Sequence, residues 1–295
     1  MCPPRSGAVA VTFTPGSNGG RAITAYEYSV NGGSWSSTGS LSTSFVIGGL
    51  TDGVAASVRV RAISSVGTGA ASAPVSATPA SAPQQPTVTS VVRSDRTLTA
   101  SITPGADGGS AVTSWQYSTD GGATWATASG TTLPLDITAP SADTGVRLVN
   151  GQGYSLQVRA VNAAGVSPES NIVTVAPASA PPRPSVTVTA GDSSVSVSYA
   201  LSGDGGSPVT RVEYSLDGDT WIDTATLSSS FSLTGLTNGT EVSVQVRAIN
   251  AIGTGQASTV AKATPRTVPG APTAVAAASN TGSLTVSWTA PASNG

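Results

Sequence analysis

Among the side chains of this sequence, the acidic residues in short turns are the best candidates for catalysis or metal binding. Asp120 lies in the stretch YSTDGGATW, and Asp217, Asp219 and Asp223 crowd a similar stretch that begins YSLDGDTW. Carboxylates alone can carry acid–base catalysis, and calcium prefers clusters of oxygen ligands. A third stretch, YSVNGGSW, has Asn31 at the same place. Because Asn-Gly and Asp-Gly are typical of hairpin turns, we interpret Asn31, Asp120 and Asp217 as interchangeable turn formers.

The stretch around Asp120 fits Ser-x-Asp-x-Gly-x-Thr-Trp and resembles the Asp-box of sialidases and other secreted β-propeller proteins. In those proteins the motif is a structural hairpin away from the catalytic centre, so the resemblance implies no activity here. The acids around Asp217 do not have the spacing of an EF-hand, and the two similar turns do not repeat the second acid. The sequence therefore predicts solvated turn residues and no metal site.

Several classes of function are disfavoured by composition. There is no histidine and Cys2 is the only cysteine, which removes Ser-His-Asp and Cys-His nucleophile pairs, imidazole metal ligands and an internal disulfide. We therefore predict no enzyme and no cofactor. A net charge of −2 gives no basic surface for nucleic acid. No apolar stretch is long enough to insert in a membrane, and no signal peptide is visible at the start.

The same landmarks recur along the chain, which indicates internal repeats. Four alternating, strand-like runs (AVAVTFT, RTLTASIT, SSVSVSYA and GSLTVSWT) end near Phe13, Ile102, Tyr199 and Trp288. A tyrosine follows the first three of them at a constant distance, and a tryptophan follows each tyrosine; these are Tyr28, Tyr117 and Tyr214, then Trp35, Trp125 and Trp221. Later come a leucine before a turn (LTDG, LVNG, LTNG) and a VRA strand. Short alternating strands at this spacing predict β-sandwiches.

These landmarks divide the chain into four parts, which we call repeats one to four: 1–79, 82–177, 180–265 and 268–295. The junctions TPASAPQQP, APASAPPRP and TPRTVPGAP are rich in proline, and such segments favour extended, semi-rigid links. We therefore expect a rod. Repeat one begins at its second strand and repeat four stops after two, so we expect both terminal units to be incomplete.

Repeat two carries an insertion of eight residues within TAPSADTGVR, residues 138–147. The surplus lies between Leu135 and Leu148, and the other repeats have a shorter segment there. Because loops carry function on sandwich scaffolds, the insertion is the predicted ligand contact; its candidate residues are Ser141, Asp143, Thr144 and Arg147.

Taken together, the second-strand aromatics, the Tyr-x-Tyr-Ser strand, the Leu-x-x-Gly turn and the stretches AVNAAGVSPES and AINAIGTGQAS resemble the fibronectin type III domain of bacterial secreted and surface proteins. The resemblance covers nearly the whole chain. It implies an immunoglobulin-like sandwich of seven strands that serves as a spacer or a binding module. The family's corner tyrosine occurs only as Tyr154, with Ala56 and Val242 at its place in repeats one and three. Those two repeats are therefore predicted to be less stable than repeat two.

Arginines on the VRA strands point away from the apolar side, as do Glu27 and Glu213 on the neighbouring strand, so we predict cross-strand ion pairs. The alternative is a binding stripe on the sheet face. The regular spacing of Trp35, Trp125 and Trp221 favours a repeated packing role over sugar binding.

The sequence thus predicts a non-catalytic, extracellular or cell-surface spacer or adhesion module from a bacterium or phage. One alternative is an accessory region of a secreted polysaccharide-degrading enzyme; another is a structural protein of a virion or filament, with a location on the virion surface. The corresponding partners are a polysaccharide, or cell-surface or virion proteins. A further expectation is self-association, in which residues 270–295 of one chain add as strands to the open edge of repeat one in another.

Overall fold

The computed structural model describes residues 6–291, and within them the chain forms β-strands and turns but no helix. This confirms the all-β expectation. The strands form where β-branched and apolar residues alternate with polar ones, and they end at glycine-rich turns. Residues 1–5 and 292–295 lie outside the described residues. The expectation that the terminal repeats are incomplete depends partly on them.

Repeat one contains two sheets of antiparallel strands. Its strands are β1 (Val9–Thr12), β2 (Ile23–Val30), β3 (Ser36–Ser37), β4 (Ser44–Ile47), β5 (Ala56–Ser64), β6 (Gly67–Thr68) and β7 (Val75–Ala77). One sheet has the order β1-β4 and the other β3-β2-β5-β6, with β7 also pairing with β5. Within the described residues β1 pairs only with β4.

Repeat two has the same arrangement with one additional strand at its start. Its strands are β8 (Thr87–Ser94), β9 (Thr97–Thr103), β10 (Ser114–Ser118), β11 (Ala126–Thr127), β12 (Leu135–Ile137), β13 (Tyr154–Asn162), β14 (Gly165–Val166) and β15 (Val173–Val175). The sheets are β12-β9-β8 and β11-β10-β13-β14, with β15 on β13. Leu98 and Trp115, one from each sheet, are both buried in a single core.

Repeat three follows the same plan. Its strands are β16 (Ser185–Gly191), β17 (Ser194–Ala200), β18 (Val209–Ser215), β19 (Ile222–Asp223), β20 (Ser230–Thr234), β21 (Val242–Asn250) and β22 (Ala261–Ala263). The sheets are β16-β17-β20 and β19-β18-β21-β22. Val195 and Val197 of one sheet and Val244 and Val246 of the other are fully buried between them. The tandem sandwiches expected from the repeats are confirmed.

Repeat four is a single hairpin of β23 (Thr273–Asn280) and β24 (Ser283–Thr289). All of its strand residues are exposed, including Trp288 at 59 %. In repeat one a groove of about 740 Å³, lined by Val9, Val11 and Val58 among others, adjoins β1. The predicted strand addition between this hairpin and β1 of another chain stays a prediction.

By contacts the chain divides into two compact units. The first consists of Met1–Arg93, Thr97–Leu148 and Gly153–Val175. The second consists of Ser94–Arg96, Val149–Gln152 and Ala176–Gly295. The boundaries of the sequence repeats remain a prediction, although every sheet lies inside one repeat.

Inside the first unit, the link between repeats one and two is held by hydrogen bonds that we call joint one. The Gly53 amide donates to the Pro79 carbonyl (2.9 Å), and the Ser81 amide donates to the Gly108 carbonyl (2.9 Å). The side-chain amide of Asn162 donates to the Ser81 carbonyl at 2.8 Å. The proline-rich link is thereby bonded on both sides, so its backbone is not free to rotate.

Inside the second unit, joint two repeats this set of bonds with other residues. The Gly151 amide donates to the Pro177 carbonyl (2.9 Å), and the Ser179 amide donates to the Gly205 carbonyl (2.8 Å). Asn250 takes the role of Asn162 and donates to the Ser179 carbonyl at 2.7 Å. The repeated AVN and AIN stretches therefore have a structural reason, since their asparagines hold the preceding link.

Candidate functional site

The hairpin at Asp120 is held closed by its own side chains. The Asp120 Oδ1 atom accepts hydrogen bonds from the Ser118 hydroxyl (2.7 Å) and the Thr124 amide (2.9 Å), and Oδ2 accepts one from the Thr124 hydroxyl (2.5 Å). Both carboxylate oxygens are therefore used inside the turn. The interpretation of Asp120 as a turn former is confirmed.

The three turns are not interchangeable in their backbone, and this corrects the expectation. In repeat one Asn31 itself is left-handed (φ 52°), followed by Gly32 (φ 75°). Asp120 and Asp217 are not in that region, and the positive φ begins at the following Gly121 and Gly218. Asparagine tolerates positive φ well, whereas the aspartates contribute carboxylate acceptors for the turn amides.

These hydrogen bonds lower the pKa of both aspartates. The hydroxyl and amide of Thr124 hold the pKa of Asp120 at about 2, against an ordinary 3.8. The amides of Thr220 and Asp219, at 2.7 and 2.9 Å from the Asp217 Oδ1 atom, lower the pKa of Asp217 further still. Carboxylates held in the ionised form by turn donors are poor proton donors near neutral pH. The carboxyl groups of Asp120 and Asp217 are therefore unsuited to act as catalytic acids.

Ser141 of the insertion does not face solvent, as a ligand contact would. Its side chain is buried, and its hydroxyl oxygen accepts the Thr119 amide at 3.0 Å. The same hydroxyl lies 3.1 Å from the Thr119 hydroxyl and 2.9 Å from the Thr124 hydroxyl, and the Ser141 amide donates to Thr119 at 2.9 Å. The insertion is therefore fastened to the Asp120 hairpin through Ser141.

The other three candidate residues of the insertion are exposed. The Asp143 Oδ1 atom accepts the Gly145 amide at 2.9 Å and shapes a local turn. Thr144 lines a cleft beside the insertion, and Arg147 does not. The structure thus places Ser141 and Thr144 at one cleft, while Asp143 and Arg147 lie on the surface outside its lining. Their predicted contact with a ligand stays a prediction.

The cleft has a volume of about 540 Å³ and lies between the edge strands β11 and β12, under the insertion. Trp125 contributes aromatic surface and Asp136 contributes a carboxylate, whereas Tyr117, Ala126 and Ala139 are buried. Burial raises the pKa of the Tyr117 hydroxyl, so this group stays protonated and able to donate a hydrogen bond. Sequence reasoning found the insertion but not this cleft.

The residue opposite the middle of β9 differs between the repeats. Phe45 in repeat one and Phe231 in repeat three pack on Tyr28 and Tyr214, with ring centroids 5.2 and 5.1 Å apart. Leu135 has the same register in repeat two, opposite Ala100. Leucine has no ring to lay against Tyr117. The sequence signal for the cleft was the insertion, since Ser141 and Thr144 line it.

Each of the three tryptophans lies under an arginine on the outer face of its sheet. The guanidinium carbons of Arg61, Arg159 and Arg247 are each 4.0 Å from the ring centroids of Trp35, Trp125 and Trp221. This stacking confirms the packing role predicted for the tryptophans.

The predicted cross-strand ion pairs form in two repeats. Arg61 binds Glu27 at 2.6 Å and Arg247 binds Glu213 at 2.7 Å. In repeat two the partner of Arg159 is Gln116, whose Oε1 accepts the arginine Nε–H at 2.7 Å. The arginine therefore keeps its stack in repeat two but loses the carboxylate.

Within residues 6–291, no three His, Cys, Asp or Glu side chains come together as a metal-binding group. The same part of the chain has no helix with the length and apolar character needed to cross a membrane.

Comparison with known proteins gives one family match. Residues 179–264 match the family model described as fibronectin type III domain. The chain contains a fibronectin type III domain. The match coincides with repeat three, whereas the resemblance stated from the sequence extends over nearly the whole chain. A solved structure similar to the chain is that of the FN1–FN3 domains of chicken CNTN1, with 20 % identity, 90 % of this chain and 96 % of that chain covered, and a TM-score of 0.36. No curated protein matches.

Proposed function

We propose that this protein is a non-catalytic, extracellular spacer or adhesion module that holds other parts of a bacterial or phage surface protein at a distance. The observation that supports this role best is the repetition of one set of hydrogen bonds at joints one and two. A linker bonded on both sides transmits position, which a spacer needs and a flexible tether lacks. The fibronectin type III domain in repeat three is of a fold used for modular spacing and adhesion.

The side chains are consistent with a role that involves no catalysis. Asp120 and Asp217, the acids with the most perturbed pKa, use their carboxylates to close turns. Arg61 and Arg247 pair with glutamates on the neighbouring strand, so these two arginines already have partners.

Small-angle scattering on the purified chain tests the spacer role. Compact-domain scaling gives a radius of gyration of about 19 Å for this length. We expect a value well above that, because a spacer needs an extended chain of domains. A radius near the compact value would contradict the proposal.

A role as an accessory region for a polysaccharide is the second candidate. The specific observation in its favour is the cleft beside the insertion in repeat two, whose lining is rich in hydroxyl groups.

A further inference from the structure

The cleft between β11 and β12 is large enough for a small ligand and is not used by the spacer role. Its volume of about 540 Å³ lies within the range of roughly 300–1,000 Å³ that is common for small-molecule sites. Its two aromatic residues are Tyr117, which is buried on β10, and Trp125, which directly precedes β11. The side chains of the lining decide which chemical class of ligand fits.

Hydroxyl groups dominate this lining. Six of its ten residues carry one: Tyr117, Thr127, Ser129, Thr138, Ser141 and Thr144. The Ser141 hydroxyl is committed to the Asp120 hairpin. The side-chain oxygens of the other five make no hydrogen bond to another protein group within residues 6–291. A hydroxyl both donates and accepts, so this surface matches a ligand that carries many hydroxyls itself.

The charged side chains of the lining limit the chemical class of the ligand further. Asp136 is the one charged side chain of the lining, and its Oδ1 atom accepts the Thr99 hydroxyl at 2.7 Å. No arginine or lysine lines the cleft, which disfavours phosphates and other anions. A single carboxylate is too little for a divalent cation, which takes six or more oxygen ligands when it is calcium. A neutral ligand that donates a hydrogen bond to Asp136 fits best.

Strand length disfavours a peptide as the occupant. A peptide that adds to a sheet edge needs several backbone hydrogen bonds in register. The two edges at the cleft offer little, because β11 has two residues and β12 has three.

We propose that the cleft of repeat two binds one or two sugar rings of a neutral polysaccharide. Trp125 supplies an apolar wall for a sugar ring face, and Asp136 with the hydroxyls of Thr127 and Thr138 binds the sugar hydroxyls. Trp125 is already fixed for this role, since its indole N–H donates to the Gly122 carbonyl at 3.1 Å and Arg159 stacks on its ring. Binding at this cleft adds to the spacer role and does not depend on it.

The test is a titration of the full chain with cellohexaose, xylohexaose, mannohexaose and maltohexaose, followed by amide and indole NMR shifts. At about 10 mM sugar, dissociation constants in the millimolar range are detected. We expect at least one oligosaccharide to give saturable shifts at Trp125, Thr127 and Thr138. Asp136→Asn with Thr138→Val should weaken the binding by about tenfold or more, because buried sugar hydroxyls would lose partners.

Two further variants separate binding from folding. Thr127→Trp, at an exposed lining position, should abolish the shifts at Trp125 and Thr138 by filling the cleft, with the fold unchanged by circular dichroism. Ser232→Ala, at the β20 position that corresponds to Asp136, should leave the shifts as they are. The proposal is wrong if no oligosaccharide gives saturable shifts, if the Asp136 and Thr138 variant binds normally, or if an alternating Val-Thr peptide binds there instead. None of those results would alter the scattering that tests the spacer role.

Discussion

Repeats two and three share one scaffold but fill its core differently. In repeat two the large aromatic is Trp115 on β10, 2 % exposed, and Leu135 lies on β12. In repeat three the residue that corresponds to Trp115 is Val212 on β18, and Phe231 on β20 takes up the aromatic volume. Because total volume counts for more than the position of each ring, both cores close. The cleft of repeat two is lined by residues of β11, of β12 and of the insertion.

The comparison also shows which features belong to the scaffold. The arginine over tryptophan, the asparagine of the joint and the turn aspartate occur in both repeats with nearly equal distances. The insertion, Leu135 and Gln116 occur in repeat two alone, and the insertion lines the cleft. Structural residues therefore repeat, whereas the insertion that lines the cleft does not.

The largest expected effect comes from the core of repeat two. Trp115→Ala should lower the free energy of unfolding of that repeat by about 3–5 kcal/mol, because it removes a buried aromatic and leaves a cavity. Hydrogen exchange of amides in β9 and β13 measures this. Trp288→Ala, at an exposed tryptophan, is the matched control and should change the exchange of these strands very little. Equal effects of the two variants would show that the aromatic of β10 does not anchor the core.

An intermediate effect is expected on acidification, and it differs between repeats. The Asp120 carboxylate stabilises its hairpin when ionised, and its folded pKa of about 2 lies below the ordinary 3.8. This stabilisation is therefore present above pH 3.8 and is lost as the pH falls through about 2. Repeat one has Asn31 in place of the acid, and its side-chain oxygen, which accepts the Ser57 amide, does not titrate.

NMR on the full chain follows the two hairpins separately. The amide shift of Thr124 should titrate with a midpoint near 2, and that of Ser57 should stay constant. A Thr124 midpoint near 3.8 would mean that the hydrogen bonds to Asp120 are not formed in solution.

The smallest expected effect concerns the charge missing from repeat two. Gln116→Glu should give Arg159 the carboxylate that Arg61 and Arg247 already have, and should stabilise repeat two by up to about 1 kcal/mol. Urea unfolding at low salt measures the gain, which should shrink in about 1 M salt because ions screen the pair. A gain that is unchanged by salt would point to packing rather than charge.

The regular spacing of the sequence made the fold predictable. The alternation in RTLTASIT placed Leu98 and Ile102 toward the core, and the Asn-Gly and Asp-Gly pairs marked the turns. The cleft was not predictable in the same way, since it depends on how the insertion lies against β11 and β12. The burial of Ser141 was not predicted either, because an inserted loop is expected to be exposed when its hydrogen bonds to the hairpin are not known.

The hydrogen bonds of the two joints could not be predicted from the sequence either, although the sequence did indicate stiff links. Proline-rich stretches indicated stiff links, but the bonding depends on Asn162, a residue 81 positions after Ser81. The sequence did not indicate that Gly109 lies against the backbone of another repeat at joint one. A side chain there would collide with the backbone of Gly53, and its φ of 80° already disfavours one.

The most direct test of the spacer account is the distance between spin labels on either side of joint one, in a chain with Cys2→Ser. Labels at Val46→Cys and Val92→Cys, both exposed strand positions of the first unit, should give one narrow distance distribution in pulsed electron resonance. Gly109→Ala should broaden or shift it, because the added methyl meets Gly53, while Gly130→Ala, with open space around it, should not. A broad distribution in the parent chain, or one that Gly109→Ala leaves unchanged, would contradict the claim that the link is held.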